Sequence, residues 1–384
     1  MHIVIIPSWY PKDSKDVGGS FFREQAMGLR KRGHKVGVVS PKLTSLKSFS
    51  EGRKNLGYRM EDDEGVMTYR FNSFNFTPRL KNLSRLQWEI IGYKLFSLYI
   101  KKHGKPDIIH VHSMNPAIFL AYKIFRDFNI PYVITEHSTA FARGLVGDKL
   151  KSKLKEPVKK ASYKIAVSSE FANLLQTQLD STVWNYVPNI VSESFLSLNN
   201  VLEEKKNYYF LNVCLLEEKK RVDLLIKAFC LLSQDYPDVR LKIGGDGSCK
   251  RKLIELVAHL NIEDKVTFMG MLNREQVQYE MSNTDAFALS SEYETFGVVL
   301  VEALALGKPV IATRCGGPES IVIDKVGILV DKNNIDALYQ GMKSVYESEY
   351  DSAAIKAYCK DNFSEPVVLS SLEKIYSQVI KNNK

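Results

Sequence analysis

The sequence predicts an α/β protein built from two doubly wound, parallel-sheet domains. Short apolar runs alternate with amphipathic helical stretches along the whole chain, the pattern of strands joined by crossover helices. At 384 residues the chain is long enough for two domains of about 200 residues each. A polar stretch rich in Ser, Asn and Glu, Asn189 to Asn207, interrupts the alternation midway.

The first domain is expected over residues 1–190, with strands at Ile3–Pro7, Val36–Ser40, Ile108–Val111, Tyr132–Thr135, Lys164–Val167 and Val183–Val187. After a linker at 191–207, the second domain runs over 208–365. Its strands are expected at Phe210–Leu215, Arg240–Ile243, Val266–Met269, Ala286–Leu289, Val310–Ala312 and Ile328–Val330. In sheets of this kind ligands bind beyond the carboxyl ends of the strands, where loops lead into helix N-termini. Every candidate motif lies at such a loop.

The most informative loop is Ser290 to Ser320. Gly297 opens the apolar run Val298 to Leu306, which Gly307 and Pro309 stop, so a helix starts there. The free N–H groups of its first turn, near Phe296 to Val299, form an anion site. Glu294 precedes that helix and Glu302 lies one to two turns inside it. An anionic ligand that carries hydroxyl groups would satisfy both features. Gly18 and Gly19 follow the first strand and precede the helix FFREQAMGLRKRG, where a backbone without Cβ can approach a phosphate or sugar. The spacing is not the G-x-G-x-x-G dinucleotide fingerprint, which disfavours a nicotinamide dehydrogenase. Gly244, Gly245 and Gly247 form a third strand-to-helix turn, ahead of a helix beginning near Cys249.

Composition narrows the class. No run of about 18 apolar residues exists, and MHIVIIPSWYP lacks the basic start of a signal peptide, so a cytosolic protein is expected. Five cysteines with no C-x-x-C pair argue against a disulfide framework and a zinc site. The net charge of +9 is uneven: residues 1–200 hold 30 Lys and Arg against 17 Asp and Glu, whereas the remainder holds 23 against 27. A basic half attracts polyanions or an anionic membrane surface. Segment Arg79 to Lys105 mixes Trp88, Tyr93, Phe96 and Tyr99 with Arg79, Lys81, Arg85, Lys94, Lys101 and Lys102, and reads as a core helix with a basic rim that could also rest on an anionic membrane.

Glu294 and Glu302 form an E-x7-E pair inside SSEYETFGVVLVEALALGKPVIATRCGG, and this block resembles the hallmark of the family 4 retaining glycosyltransferases. Further blocks in that family's order are PSWYP with GGSFFREQAMGLRKRGHKV, PDIIHVHS, VITEHS, VPNIV, KKRVDLLIKAF and IGGDG. The resemblance implies the GT-B fold, two Rossmann-like domains facing a central cleft, with the C-terminal helix near Pro366 to Ile380 (residues 366–384) packing back on the first domain. It also implies a nucleotide-sugar donor, a glycan or lipid-linked acceptor, and activity at the cytosolic face of the membrane without a cofactor or metal. The donor base and sugar are not legible; a UDP-sugar is favoured over GDP-mannose.

By resemblance Glu294, His137 and Lys220 carry the chemistry. Lys220 takes the place of a lysine that clamps the leaving diphosphate, while Leu215 stands where an arginine is usual and Arg221 replaces a glycine. Glu294 would hold hydroxyls of the transferred sugar and Glu302 those of the ribose. The remaining donor contacts would come from Gly18, Gly19, Arg221, Gly245, Thr295, Phe296, Gly297 and Val298, and acceptor contacts from His112 and Gly19. A histidine can donate to a sugar hydroxyl or briefly hold a proton near neutral pH. His110 and His112, two residues apart on one strand, point the same way with no carboxylate partner for a metal, and Asp62–Asp63 falls in a polar loop.

Overall fold

A computed structural model describes residues 1–13, 16, 18–45, 56–179, 183–198 and 206–383. Part of the expected linker, residues 199–205, lies outside the described residues. The chain divides into two compact units, the first made of 1–167, 172–187 and 369–384, the second of 168–171 and 188–368.

In chain order the first part holds β1 (His2–Pro7), α1 (Ser20–Lys31), β2 (Lys35–Thr44), β3 (Gly57–Asp63), β4 (Val66–Phe74), α2 (Lys81–His103) and β5 (Ile108–His112). It continues with α3 (Ala117–Phe128), β6 (Tyr132–Glu136), α4 (Asp148–Lys160), β7 (Tyr163–Ala166), α5 (Ser169–Gln178) and β8 (Asn185–Tyr186). Its eight-stranded sheet runs β3-β4-β2-β1-β5-β6-β7-β8, parallel except for the β3–β4 pair. β1, β5 and β6 are buried on both faces, as parallel strands covered by helices must be.

The hairpin β3–β4 corrects the expected polar loop at Asp62–Asp63. Both aspartates end β3, ahead of a turn at Glu64 and Gly65 whose φ angles are 52° and 85°. Left-handed angles at both central residues make the tight turn whose twist matches a hairpin. Asp63 accepts two hydrogen bonds from Arg23 of α1, at 2.7 and 2.6 Å. Charged side chains on β3 are what an outermost strand carries to block further pairing.

Helix α2 also departs from its expected role. One face buries Trp88, Leu95, Phe96 and Tyr99. The approach is so close that a Cβ on Gly37 of β2 would stand 2.3 Å from the Tyr99 ring, and one on Gly92 would stand 2.4 Å from Leu120 of α3. The opposite face is not core: Leu80, Leu83, Leu86, Ile90 and Leu98 are 48–57% exposed.

The second part holds α6 (Glu193–Leu196), β9 (Tyr208–Val213), α7 (Val222–Asp235), β10 (Val239–Gly244), α8 (Lys250–His259), β11 (Val266–Gly270), α9 (Arg274–Ser282) and β12 (Ala286–Leu289). There follow α10 (Val298–Ala305), β13 (Val310–Thr313), β14 (Gly327–Val330), α11 (Ile335–Glu347), α12 (Ser352–Phe363) and α13 (Glu365–Asn382). Its six strands are all parallel, in the order β11-β10-β9-β12-β13-β14. Phe210, Leu241 and Ile243 of the sheet, Leu225 and Phe229 of α7, and Leu338 and Met342 of α11 belong to one buried cluster.

Each sheet therefore reverses its winding once, between β1 and β5 in the first and between β9 and β12 in the second. Crevices beyond the carboxyl ends of such strand pairs are the binding positions of doubly wound sheets. The loop after β1 carries Gly18–Gly19, β5 itself holds His110 and His112, and His137 directly follows β6; the loops after β9 and β12 carry Lys220 and Glu294. α13 brings Tyr376 to the first unit, where its hydroxyl meets His110 Nδ1 at 2.6 Å. No helix among the described residues is long and apolar enough to cross a membrane.

Candidate active site

In the second unit a lysine and a glutamate meet at the reversal of the sheet. The chain leaves β9 through a 3-10 turn, Glu218–Lys220, and leaves β12 through Ser290 and Ser291. The two loops are stitched together: Ser290 Oγ donates to the Lys220 carbonyl at 2.9 Å, and Glu292 N–H donates to the Lys219 carbonyl at 2.8 Å. That brings Lys220 Nζ onto Glu294 Oε1, which also accepts from Ser291 Oγ at 3.0 Å. Burial penalises the Lys220 ammonium, but the Glu294 carboxylate outweighs it and holds the lysine pKa above its ordinary value. Burial also lifts the thiols of Cys214 and Cys315 beside the pair to about 12, which keeps them protonated and inert at neutral pH. A charged, preformed ion pair thus sits next to the start of α10.

Gly297 caps α10 with φ 105°, and the helix begins at Val298. Its side chains are apolar apart from Glu302, which is 7% exposed one turn in and has Arg274 Nη2 at 3.8 Å. A carboxylate so deep in an apolar helix carries a cost that structure alone does not require. Thr295 and Phe296 are buried, and the Phe296 ring packs on Phe363 of α12 at a centroid distance of 6.0 Å. Of the expected contacts here, Phe296 and Thr295 offer their backbone more readily than their side chains. The Thr295–Gly297 stretch lies against Gly316 and Gly317; a Cβ on Gly317 would be 2.5 Å from Phe296 N.

Leu215 is 54% exposed at the position where the resemblance calls for an arginine. Arg221 caps α7 in a left-handed conformation, and its guanidinium bonds to Asp223 and Asn333 instead of to Glu294. Gly245 has a packing role: a Cβ there would stand 1.8 Å from the Cys214 carbonyl oxygen, because the 244–247 turn presses against residues 214–216. Its N–H donates to the Gly270 carbonyl at 2.7 Å.

In the first unit the three histidines stack. His110 and His112 have ring centroids 4.1 Å apart, and His112 Nδ1 lies 3.1 Å from His137 Nε2. Tyr376 and Thr135 occupy both nitrogens of His110, at 2.6 and 2.8 Å. Phe21 and Phe22 of α1 border His137 at 5.1 and 4.8 Å between ring centroids. Burial pushes His110 down to about 3 and holds His112 and His137 well below the ordinary histidine value. All three are neutral near pH 7, so the expectation that one holds a proton there gives way to a role as neutral hydrogen-bond donor or acceptor. Gly19 caps α1 with φ 86° beside Trp9 and Phe22, and Gly18 N–H donates to Asp16 Oδ1 at 2.9 Å.

Glu136 is the anchor that sequence reasoning missed. Its buried carboxylate accepts from the N–H groups of Met114, His137 and Ser138 at 2.7, 3.0 and 2.8 Å, which fixes the turns after β5 and β6. Burial raises its pKa, opposed by those three donors. The signal was a lone charge closing the apolar run YVIT. Arg274, at the start of α9, and the serines Ser290 and Ser291 after β12 were also missed; single polar residues at element ends carry no spacing signature. No group of three or more His, Cys, Asp and Glu placed to hold a metal occurs among the described residues.

Residues 18–195 match the family model "Glycosyltransferase Family 4", and residues 197–361 match "Glycosyl transferases group 1". The chain is 28% identical over 391 residues, 96% of both chains, to N-acetyl-alpha-D-glucosaminyl L-malate synthase of Bacillus anthracis. Over 146 residues, 38% of this chain and 39% of the other, it is 35% identical to N-acetylgalactosamine-N,N'-diacetylbacillosaminyl-diphospho-undecaprenol 4-alpha-N-acetylgalactosaminyltransferase of Campylobacter jejuni. Among solved structures, Anabaena Alr3699/HepE in complex with UDP and glucose superposes with a TM-score of 0.70 at 18% identity, covering 98% of this chain and all of that one. That last likeness is one of fold.

Proposed function

The chain belongs to the family 4 glycosyltransferases of GT-B fold, and from that premise we propose that it moves a hexose or N-acetylhexosamine from a UDP-sugar, with retained configuration, to a sugar hydroxyl of a lipid-linked surface glycan. The observation that carries this reading is the Lys220–Glu294 pair beside the N-terminus of α10, with Glu302 buried inside that helix. Breaking the anomeric C–O bond leaves positive charge on the sugar and an added negative charge on the departing diphosphate. Fixed cations and N–H dipoles stabilise that charge best where water is excluded. Lys220 and the first-turn N–H groups of α10 take this role. Glu294 accepts from hydroxyls of the transferred sugar and Glu302 from those of the ribose, which orients the donor.

His137 donates to the sugar as a neutral imidazole, and His112 serves the acceptor. The acceptor oxygen forms its bond to the anomeric carbon on the face the diphosphate leaves, and its proton passes to the departing phosphate oxygen. No metal is assigned a part. The UDP named with the Anabaena protein supports a uridine donor, and the diphospho-undecaprenol named with the Campylobacter enzyme supports a lipid-linked acceptor.

A second reading, transfer to a small soluble acceptor, is favoured by the L-malate product named for the Bacillus anthracis relative, which matches over the whole chain. One experiment separates the readings. Thermal shift and mass-spectrometric donor hydrolysis are measured in EDTA with UDP-, GDP-, ADP- and TDP-sugars, for wild type, Glu294→Ala and Lys220→Ala. Acceptor pools of lipid-linked saccharides and of small organic acids and polyols follow. Stabilisation by one nucleotide sugar and metal-free turnover lost in both variants are the expected results. Absence of turnover with every donor would move the chain to a non-catalytic binding role, in which Leu215 is the first residue to examine.

A further inference from the structure

The exposed face of α2 has a composition that a solvent-facing helix does not need. Leu80, just before the helix, and Leu83, Leu86, Ile90 and Leu98 recur at intervals of three, four and eight, so they form one stripe. From Leu80 to Leu98 the stripe runs along about 27 Å of surface. An exposed apolar stripe of this length, bordered by polar residues, marks an interaction surface.

The charges within the face are basic. Lys94 and Lys101 lie within the same face, and Arg79 and Lys81 stand at its start. Glu89 is the only acidic residue of the helix, and Arg85 neutralises it at 3.0 Å. At the far end, Lys102 Nζ meets Met60 Sδ of β3 at 3.6 Å, which adds the exposed Met60 and Tyr58 to the patch. At the near end, Lys153 Nζ of α4 donates to Asn82 Oδ1 at 2.8 Å; α4 carries six lysines against Asp148 and Glu156. The positive field therefore extends past the near end of the stripe, along α4.

We propose that the exposed face of α2 is an interfacial surface that seats the protein on an anionic lipid bilayer. Its leucines and isoleucine enter the boundary between headgroups and acyl chains, while the flanking lysines and arginines stay at the level of the lipid phosphates. Charge decides between this occupant and a second copy of the chain. Two such faces would bring Lys94 and Lys101 against lysines, whereas anionic headgroups complement them. The proposal uses none of the residues assigned to sugar transfer.

The test is flotation of the full-length protein with vesicles of phosphatidylcholine alone and of equimolar phosphatidylcholine and phosphatidylglycerol. Wild type should float with the anionic vesicles and far less with the neutral ones, and raised salt should weaken the binding. Lys94→Gln with Lys101→Gln should weaken it about 30-fold, from the attraction that each basic group near the surface contributes. Leu86→Ser with Ile90→Ser should abolish salt-resistant binding. Both double variants should keep the wild-type melting temperature and donor hydrolysis, so a failure here is distinct from a failure of the transferase reading. Equal flotation with both vesicles, flotation unchanged in the variants, or no flotation of folded wild type would overturn the proposal. A concentration-dependent dimer that Leu86→Ser with Ile90→Ser dissociates would give the face to a second copy and overturn it as well.

Discussion

The two sheets present different chemistry at the same topological position. Beyond β9 and β12 the second unit places an ion pair, Lys220 with Glu294, at the start of an apolar helix. Beyond β1 and β5 the first unit places three buried, neutral imidazoles and two phenylalanines. One fold thus builds a charge-stabilising site once and a neutral hydrogen-bonding site once. Under the proposed transfer the difference matches what each would face: a diphosphate that gains charge demands a fixed cation, whereas sugar hydroxyls demand directional partners without net charge. In the second unit it is carried by loop side chains, since β12 is wholly apolar, whereas in the first unit the strand β5 itself bears His110 and His112.

The comparison breaks most sharply at Lys220. Lys220→Ala should lower kcat by about a hundred- to thousandfold, the effect of removing one preorganised group that stabilises developing negative charge. Lys220→Arg should recover part of it, since charge is kept and reach is altered. Steady-state rates of donor hydrolysis and transfer check this. A loss confined to KM would show that the lysine only binds donor, and the contrast between the two sites would shrink to one of affinity.

This charged site was legible in the sequence, and the neutral one only in part. The E-x7-E pair, the helix start at Gly297 and the strand Ala286–Leu289 follow from local pattern: an apolar run, a glycine and stop residues fix where a helix begins. The positions of Lys220 relative to Glu294, and of Tyr376 relative to His110, depend on contacts between residues 74 and 266 positions apart, which no local period encodes. The β3–β4 hairpin escaped because an edge strand bearing Arg59, Glu61, Asp62 and Asp63 has the composition of a loop. The stripe on α2 escaped for the opposite reason, since leucines on several faces read as core until the neighbours that cover only one face are known.

Gly245 tests whether the charged site is held by packing. Gly245→Ala puts a Cβ where the Cys214 carbonyl oxygen now lies, 1.8 Å away, so backbone must move. A loss of about 3 kcal/mol in urea unfolding is expected, as for other substitutions that force backbone apart in a packed interior. Activity should fall with it, because the shifted 214–216 segment leads directly to Lys220. A variant of wild-type stability would show that the turn yields freely and that Gly245 is required by the ligand.

The neutral site should reveal itself by pH. The folded pKa of His110 is about 3, far below the ordinary 6.5, so the unfolded chain binds the proton first as pH falls. Stability is then lost progressively from about pH 6.5 downward, by about 1.4 kcal/mol at pH 5.5 for this histidine alone. His112 and His137 shift in the same direction. Glu136, with its raised pKa, works oppositely and recovers a little stability on acidification. His110→Gln should remove about that 1.4 kcal/mol of the change in unfolding free energy between pH 7.5 and 5.5. An unchanged pH dependence would mean that the native imidazole takes up its proton as readily as in the unfolded chain, and that the first unit's site becomes charged on mild acidification.

The smallest effect expected is at Glu373, which ties α13 to the turn between α1 and β2 within the first unit. Its carboxylate accepts from Arg32 at 2.9 and 2.7 Å and meets His34 Nε2 at 2.7 Å. The Arg32 hydrogen bonds, with help from His34, hold its pKa down at about 2 despite partial burial. A depressed carboxylate stabilises the fold above the unfolded pKa, near 4.5, and that contribution disappears as pH falls toward 2. Because the group is partly solvated, Glu373→Gln should cost only about 0.5–1 kcal/mol at pH 7 and nothing near pH 2. Tyr376 stands one helical turn further along α13 and supports His110, so loosening this tether should also raise the sensitivity of the histidine stack to acid. If Glu373→Gln leaves both stability and acid sensitivity unchanged, the buried Tyr376–His110 bond alone keeps α13 in place, and the neutral site is held from its interior instead of from its rim.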